Sequence, residues 1–304
     1  PVRVALSLEE SMLTCRRLGA EITLRTAVDE NGKVLAKRAA ILLDGGAYAD
    51  TGPAVAVKAA HRVIGPYGIE NLEIEAKAVY TNTVPGAAFR SIGGPQAVWA
   101  TESQMDEIAE SLTIDPVELR RRNLLPRGGK ILDTLRPLDV DMGEMLSQAD
   151  RAMTALGSGP AAGLAMAATD PGIMPIGGAL VRVLADGSIV VMSNSVEIGQ
   201  GVRAVLREVA AKTLNQDPAA IRVANPDTAA APFDWGTGAS RSTVIMGLAV
   251  EDAARDASDQ ILALAASVFD GAPNDIRLVP RGVAHGDDVL SFQNLYHKAF
   301  GVDS

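Results

Sequence analysis

The sequence has 304 residues, of which 47% are hydrophobic and 21% charged, and its formal net charge at pH 7 is -9. This length and hydrophobic content suffice for one large domain or two ordinary ones, and the acidic balance argues against a nucleic-acid surface, which needs a concentrated positive field. No apolar run approaches the roughly 18 residues of a membrane span. The single cysteine, Cys15, excludes an internal disulfide and an iron–sulfur cluster held by thiolates of this chain.

The first half begins PVRVALSLEE, which resembles the interior of a β-sheet entering a turn, and we interpret the sequence as a piece of a longer protein or a processed product. In AEITLRTAVDENGKVLAKRAAILLDGGAY, apolar and polar residues alternate on both sides of Asn31-Gly32, which predicts a β-hairpin. A helical stretch and the strand NLEIEAKAVYTN follow. After the loop FRSIGGPQ, a long helix has an apolar face that includes Met105 and Ile108, interleaved with acidic residues such as Glu102.

The second half has the same order of elements. GGALVRVLADGSIVVMSNSVEIGQG predicts a hairpin around Asp186-Gly187, followed by a helix, the strand IRVANPDT, the loop DWGTGASRST and a long helix. The link between the halves is LGSGPAAG, residues 156–163. The predicted fold class is therefore α+β: two similar layered units, 1–155 and 156–304, each a hairpin, helix, strand and helix, with mixed, mostly antiparallel sheets.

Three glycine-rich loops, FRSIGGPQ, EIGQGVR and DWGTGASRST, each lie directly before a helix. A helix N-terminus presents unpaired N–H groups and the positive end of its dipole, so anions bind there. Arg90 and Arg241 add guanidinium groups suited to an oxyanion. The loops together suggest a large phosphate-bearing ligand between the halves, although each could instead be a turn with a good helix cap. The HGDD stretch from His285 to Asp288 is interpreted as a solvated turn, and the three histidines are assigned to surface or packing roles because none lies at ligand spacing from another.

Four segments carry a family resemblance. LLDGGAYAD, GAAFRSIGGPQAVWATESQMDEIAESLTIDPVELRRRN, VEIGQGVRAVLREVAAKTL and PFDWGTGASRSTVIMGLAV resemble, in the same order, the molybdenum-cofactor-binding large subunit of the xanthine dehydrogenase/aldehyde oxidase family. The resemblance implies a cytoplasmic molybdenum hydroxylase with molybdopterin in its cytosine dinucleotide form. Such an enzyme inserts a water-derived oxygen into a C–H bond of a small aldehyde or N-heterocycle, using a glutamate base. Iron–sulfur and FAD subunits would then take the electrons, without any nucleic-acid or membrane partner.

The resemblance also implies roles for particular residues. The cofactor-binding residues would be Phe89, Arg90, Gly199, Gln200, Gly201, Ala239, Ser240, Arg241, Ser242 and Thr243, with no direct protein ligand to the metal. Arg90 would be catalytic, because its guanidinium would stabilise charge on an oxygen at the molybdenum. Ile92 would face the substrate at a position where purine-oxidising members carry an aromatic residue, which argues against xanthine. Neither Ser91 nor Ile92 supplies the cysteine of carbon monoxide dehydrogenases.

Two family motifs are missing from this sequence, the glycine-rich loop of GGFGGK type and the catalytic glutamate in a G-E-x-P setting. The resemblance therefore implies that this chain alone is incomplete and inactive as an enzyme. Two alternatives stay open. One is a non-catalytic cofactor-binding or assembly protein that has lost the glutamate segment, and the other is a relative in fold only that binds another phosphorylated ligand.

Overall fold

The structure, a computed structural model, describes residues 2–157, 162–169 and 176–301. The chain forms two compact units, Pro1–Asp170 and Pro171–Ser304. Part of the predicted link, residues 158–161, lies outside the described residues. The strands of the first unit are β1 (Arg16–Arg17), β2 (Gly19–Val28), β3 (Val34–Gly46), β4 (Asn71–Tyr80) and β5 (Gly86–Ala87). Its helices are α1 (Leu8–Thr14), α2 (Gly52–Arg62), α3 (Gly94–Leu112), α4 (Pro116–Asn123) and α5 (Met142–Ala155).

The main sheet of the first unit has the order β2-β3-β4, with β2 and β3 antiparallel and β3 and β4 parallel. The predicted hairpin at Asn31-Gly32 is confirmed. Its turn is closed by the carboxylate of Asp29, which accepts hydrogen bonds from the backbone N–H groups of Asn31 (2.9 Å) and Lys33 (2.8 Å). Gly32 has a φ of 78°, a conformation that glycine adopts without a steric penalty.

Helices α2 and α3 cover one face of this sheet. Ile41 and Leu43 of β3 are buried against Val55 and Ala59 of α2 and Ala97 of α3. The other face of the sheet is exposed and bears mainly charged and small side chains. The alternation of buried and exposed residues along β3 is thus the two-residue period that the sequence shows.

The sequence pattern placed Glu102 of α3 on a polar helix face, but its side chain is buried, with 4% of the residue exposed. Its carboxylate accepts hydrogen bonds from the Tyr67 hydroxyl (2.7 Å), the Arg120 Nε (2.9 Å) and the backbone N–H of Met166 (2.8 Å). Burial and the neighbouring carboxylate raise the pKa of Tyr67 well above its usual value, so its hydroxyl stays a donor. The partners of Glu102 come from other elements, which is why helical periodicity alone could not reveal its burial.

The prediction for the opening residues is wrong. Residues 2–7 belong to no strand, and Leu8–Thr14 forms helix α1. The helix starts there because Ser7 and Glu10 form a reciprocal capping box, in which the Ser7 side chain binds the Glu10 N–H and the Glu10 carboxylate binds the Ser7 N–H.

The second unit contains two small sheets. Its strands are β6 (Leu180–Val183), β7 (Ile189–Met192), β8 (Ile221–Val223), β9 (Ile276–Val279), β10 (Gly282–His285) and β11 (Asp288–Ser291). Its helices are α6 (Val202–Leu214), α7 (Gly247–Phe269) and α8 (Phe292–Phe300). One sheet has the order β6-β7-β8, with an antiparallel hairpin and a parallel third strand, and the other is the antiparallel sheet β9-β10-β11.

The two helices predicted for the second half are confirmed, and their buried residues follow the 3.6-residue period. Val202, Leu206 and Ala210 of α6 are buried, as are Val250 and Ala254 of α7. The HGDD stretch forms the turn between β10 and β11, as predicted. The ring of His285 lies 5.5 Å from that of Phe269, consistent with the packing role assigned to the histidines.

Within the described residues, the fold is a mixed arrangement of eight α-helices and four small sheets. Four strand pairs are antiparallel and three are parallel, and the parallel ones include the pairing of β1 with β5. The interpretation of the two units as layered repeats of each other stays a prediction. None of the helices in the described ranges is long and apolar enough to cross a membrane.

Candidate functional site

Turn 89–93 connects β5 to α3 in the first unit and carries three of the predicted site residues. Ser91, Ile92 and Gly93 have φ values of 70°, 31° and 72°. A positive φ is uncommon for Ser and an outlier for a β-branched residue such as Ile. A Cβ atom at Gly93 would lie 2.7 Å from the carbonyl oxygen of Val55, so only glycine fits between the turn and α2. The backbone of this turn is therefore held in a strained conformation, as is common at functional sites.

Phe89 and Arg90 lie on the surface of the first unit. The Phe89 side chain is 56% exposed, and the Arg17 guanidinium stacks over its ring at 4.5 Å from the centroid. Arg90 is exposed as well. The stacked Arg17 was missed by the sequence analysis, because β1 reaches Phe89 only through its pairing with β5.

Turn 199–201 precedes α6 in the second unit. The Glu197 carboxylate accepts hydrogen bonds from the backbone N–H groups of Gly199 (2.9 Å), Gly201 (3.0 Å) and Arg203 (3.5 Å). The bond from Gly201, with those from its neighbours, holds the pKa of Glu197 below its usual value. The sequence predicted that a ligand's anion would bind at this helix N-terminus, but the chain supplies its own carboxylate there.

Turn 199–201 and the predicted loop DWGTGASRST, residues 234–243, lie side by side in the second unit. The Gln200 Oε1 accepts from the Ile198 N–H (2.7 Å), and its Nε2 donates to the carbonyl of Val196 (3.0 Å). The same Nε2 is 3.5 Å from the Thr237 hydroxyl, which itself donates to Val196 (2.6 Å). Gln200 is therefore fixed against the loop that contains residues 239–243.

The sequence predicted that Arg241 would present its guanidinium to a ligand at the surface, but it does not. Its side chain is fully buried, and the guanidinium binds the Asp234 carboxylate and the backbone carbonyls of Ile176 and Gly236, the last at 3.1 Å. Asp234 also accepts a hydrogen bond from the Ser195 hydroxyl (2.8 Å). This buried pair ties three segments of the second unit together, so Arg241 holds the loop in shape from inside.

The remaining predicted residues form the entry to α7. Ala239 and Ser240 have φ values of 49° and 57°, and a π-helical turn, Ser242–Met246, follows directly. Such π-helical turns occur frequently at functional sites. Ser240 and Thr243 are exposed, whereas Ser242 is buried, so the two exposed hydroxyls are available to a ligand.

Open space lies over the glycines of these loops. No described atom comes within 4 Å of a Cβ atom built at Gly199, Gly201 or Gly236. A ligand can therefore approach the backbone closely, and the exposed Ser240 and Thr243 of the neighbouring loop carry hydroxyl groups suited to an oxygen-rich molecule. A cavity of about 640 Å³ lies elsewhere, on the sheet surface lined by Arg25, Arg38 and other residues of β2, β3 and β4. Within the described residues, no group of three His, Cys, Asp or Glu side chains could hold a metal ion.

Residues 1–124 match one family of molybdopterin cofactor-binding domains, and residues 144–303 match a second family of such domains. The second match alone includes more than half of the chain. The chain belongs to the molybdenum-cofactor-binding large subunits of the xanthine dehydrogenase family. The relatives described below are named as dehydrogenase, hydroxylase or oxidoreductase proteins.

Two relatives and a solved structure illustrate this membership. The chain is 30% identical to a putative xanthine dehydrogenase molybdenum-binding subunit of Escherichia coli (strain K12), over 92% of this chain and 40% of the relative. It is also 30% identical to the nicotine 6-hydroxylase large subunit of Paenarthrobacter nicotinovorans, over 84% of this chain and 35% of the relative. The aldehyde oxidoreductase of Desulfovibrio gigas is similar in structure, with a TM-score of 0.69 and 27% identity over 82% of this chain and 29% of that one. The chain thus spans about two fifths or less of these proteins.

Proposed function

We propose that this subunit binds molybdopterin with its molybdenum, and that turn 89–93 is the binding segment of the first unit and turn 199–201 and loop 239–243 are those of the second. The proposal rests on the match of both parts of the chain to molybdopterin cofactor-binding domains. The open space over Gly199 and Gly201 fits a ligand that lies flat against the backbone. The exposed hydroxyls of Ser240 and Thr243 suit the phosphate groups of a dinucleotide, and we propose the cytosine dinucleotide form.

Each residue has a distinct proposed task. Molybdenum, when bound, would supply the oxidation chemistry for a C–H bond, with oxygen from water. Arg90, with Phe89 beside it, stabilises negative charge on an oxygen near the metal, because a guanidinium presents several donors in a fixed plane. Gln200, held against Thr237, and Ala239 would help to hold the cofactor. Arg241 acts from inside the loop, through its bond to Asp234.

The proposed substrate is a small aldehyde or N-heterocycle. The names of the relatives support both classes, since they include a xanthine dehydrogenase, a nicotine hydroxylase and an aldehyde oxidoreductase. Ile92 faces the substrate in this proposal, and its aliphatic side chain cannot stack on a purine as an aromatic residue would, which disfavours xanthine. The half-buried side chain lies in the strained turn beside Arg90.

We further propose that iron–sulfur and FAD subunits accept the electrons. Two relatives are named as subunits, which supports an assembly of several chains. This chain has one cysteine and therefore cannot ligate an iron–sulfur cluster by its own thiolates. The glutamate base must come from a segment that this sequence lacks, so the chain alone is inactive in this proposal.

The test is the molybdenum content of the whole protein, isolated in its natural assembly from a host that makes the cofactor and measured by elemental mass spectrometry. We expect about one molybdenum per chain. Gly199→Ala should lose most of it, because the new Cβ enters the proposed cofactor space. Gly128→Ala is the matched control, since Gly128 also has a positive φ and no described atom near its Cβ position.

A wild-type protein without molybdenum, or a Gly199→Ala variant that binds it as well as Gly128→Ala does, would refute the proposed site. Full molybdenum content without oxidation of any aldehyde or N-heterocycle, in the presence of the partner subunits, would favour the non-catalytic assembly protein.

A further inference from the structure

Arg62, the last residue of α2, reaches across to turn 89–93. Its Nη1 donates to the backbone carbonyls of Ser91 and Ile92, the second at 2.5 Å. Its Nη2 donates to the hydroxyl of Thr169 at 2.6 Å. One guanidinium therefore binds two consecutive carbonyls of the turn and a side chain from segment 162–169.

These two carbonyls belong to the strained residues of the turn. Ser91 and Ile92 both have positive φ, and two short backbone bonds close the turn, from Ile92 N–H to the carbonyl of Phe89 (2.7 Å) and from Gly94 N–H to the carbonyl of Ser91 (2.8 Å). A strained backbone persists only where its surroundings fix it. The planar guanidinium supplies donors in a fixed geometry, which a lysine ammonium could not reproduce.

Gly94 leaves room for this contact. A Cβ atom at position 94 would lie 3.2 Å from the Arg62 Cδ, 3.3 Å from its Nη1 and 2.7 Å from the Ser91 Oγ. The φ of Gly94 is not positive, so glycine is needed here for space and not for backbone conformation. Gly93 and Gly94 thus have different tasks: Gly93 adopts the left-handed backbone, and Gly94, the first residue of α3, leaves space for the side chains of Ser91 and Arg62.

We propose that Arg62 is a positioning residue that fixes turn 89–93 in the shape from which Arg90 reaches the molybdenum cofactor. This inference rests on the proposed function. Arg62 acts through the turn in this arrangement, because its guanidinium donates to the backbone carbonyls of Ser91 and Ile92. Arg90, two residues before Ile92, is exposed.

The experiment compares Arg62→Lys with Arg122→Lys in the whole protein from a cofactor-producing host. Arg122 is a matched control, since its guanidinium also donates to a backbone carbonyl, that of Asn31 at 2.6 Å, but does not contact the turn. Two quantities are measured, molybdenum per chain and the electron paramagnetic resonance spectrum of the reduced protein. We expect Arg62→Lys to lower the molybdenum per chain by about 10-fold or more and to shift the electron paramagnetic resonance spectrum of any molybdenum that remains.

Further variants separate positioning from folding. Thr169→Val should keep its molybdenum, because it leaves both carbonyl bonds in place. Gly94→Ala should also lower the molybdenum content, because the new Cβ would lie 2.7 Å from the Ser91 Oγ and 3.2 Å from the Arg62 Cδ, so that both the turn and Arg62 must move. This variant provides the test if Arg62→Lys fails to fold. Normal molybdenum content with an unchanged spectrum in Arg62→Lys or Gly94→Ala would overturn the inference. A wild-type protein without molybdenum would instead refute the proposed function.

Discussion

Lys37 is a buried lysine whose replacement by a hydrophobic residue should not destabilise the first unit. It lies on the inner face of β3 and is 3% exposed, with its Nζ donating to the carbonyl of Val63 (2.8 Å) and the hydroxyl of Thr101 (3.2 Å). Thr101 also donates to Val63 at 2.6 Å, so that carbonyl keeps a partner without the lysine. No buried acceptor is therefore left unpaired in Lys37→Met.

The magnitude follows from the pKa of Lys37. Burial lowers it from 10.5 to about 8, against a smaller opposing effect of Glu102. Holding the charged form in the folded state at neutral pH therefore costs about 3 kcal/mol. Lost hydrogen bonds offset part of the gain, so we expect Lys37→Met to be neutral or to stabilise the unit by about 2 kcal/mol at pH 7.

The pH dependence gives a sharper signature. Between pH 8 and 10.5 the unfolded chain binds more protons at this lysine than the folded chain does, so wild-type stability gains a contribution as pH rises through that window. The penalty is fully present below pH 8 and gone above 10.5. Lys37→Met should lack this contribution, whereas Lys33→Met, at an exposed lysine of the same hairpin, should retain it.

The assay is urea unfolding followed by pulse proteolysis, in which the surviving first unit is quantified at pH 7 and at pH 9.5. A loss of more than about 2 kcal/mol at pH 7 in Lys37→Met would refute the reasoning, since it would mean that the buried ammonium is a net source of stability. The reasoning would also be refuted if Lys37→Met gained as much stability between pH 7 and pH 9.5 as the wild type does.

Two further predictions concern the second unit. Asp234→Asn removes the counter-charge of the buried Arg241 and should destabilise the second unit by about 3 to 5 kcal/mol, measured by the same urea assay applied to that unit. The control Asp259→Asn, on the exposed face of α7, should change the stability little. Equal stabilities of Asp234→Asn and Asp259→Asn would show that the buried pair is dispensable. Glu197→Gln should speed amide hydrogen exchange in turn 199–201 by about twofold to fivefold at pH 7, because the amide is a weaker acceptor than the carboxylate. Since the folded-state pKa of Glu197 lies below the ordinary glutamate value of 4.5, the carboxylate's contribution is present above that value and is lost as pH falls through the folded pKa, so the variant and wild type should converge at low pH. A difference that persists there would contradict this account.

Local patterns predicted the elements of the fold well, because helices and hairpins depend on short-range spacing. Residues 31 and 32 marked a turn, and the buried faces of α6 and α7 followed the 3.6-residue period. The burial of Glu102 could not be predicted this way. Its main partner, Arg120, lies 18 residues further along the chain, on another helix. The opening segment was misread because its alternating apolar residues suit a strand, while the capping box at Ser7 starts a helix.

The candidate site was predictable to the level of its loops. Glycines directly before a helix marked all of the segments now proposed to bind the cofactor, but the pattern could not say which donors are already occupied. Arg241 looked like a free cation and is buried against Asp234. A signal for Glu197 did exist, since it lies two residues before Gly199. Asp44 has the same placement and likewise accepts a hydrogen bond from a glycine N–H, that of Gly46 at 3.2 Å.

The carboxylate at the start of α6 affects how strongly turn 199–201 can bind a ligand. A turn shaped by the chain's own side chain is ordered before anything binds to it, so binding loses little conformational entropy there. Exchange of one cofactor form for another would then leave the backbone of this turn unchanged. Selectivity among cofactor forms would have to come from other parts of the site, such as the hydroxyls of Ser240 and Thr243.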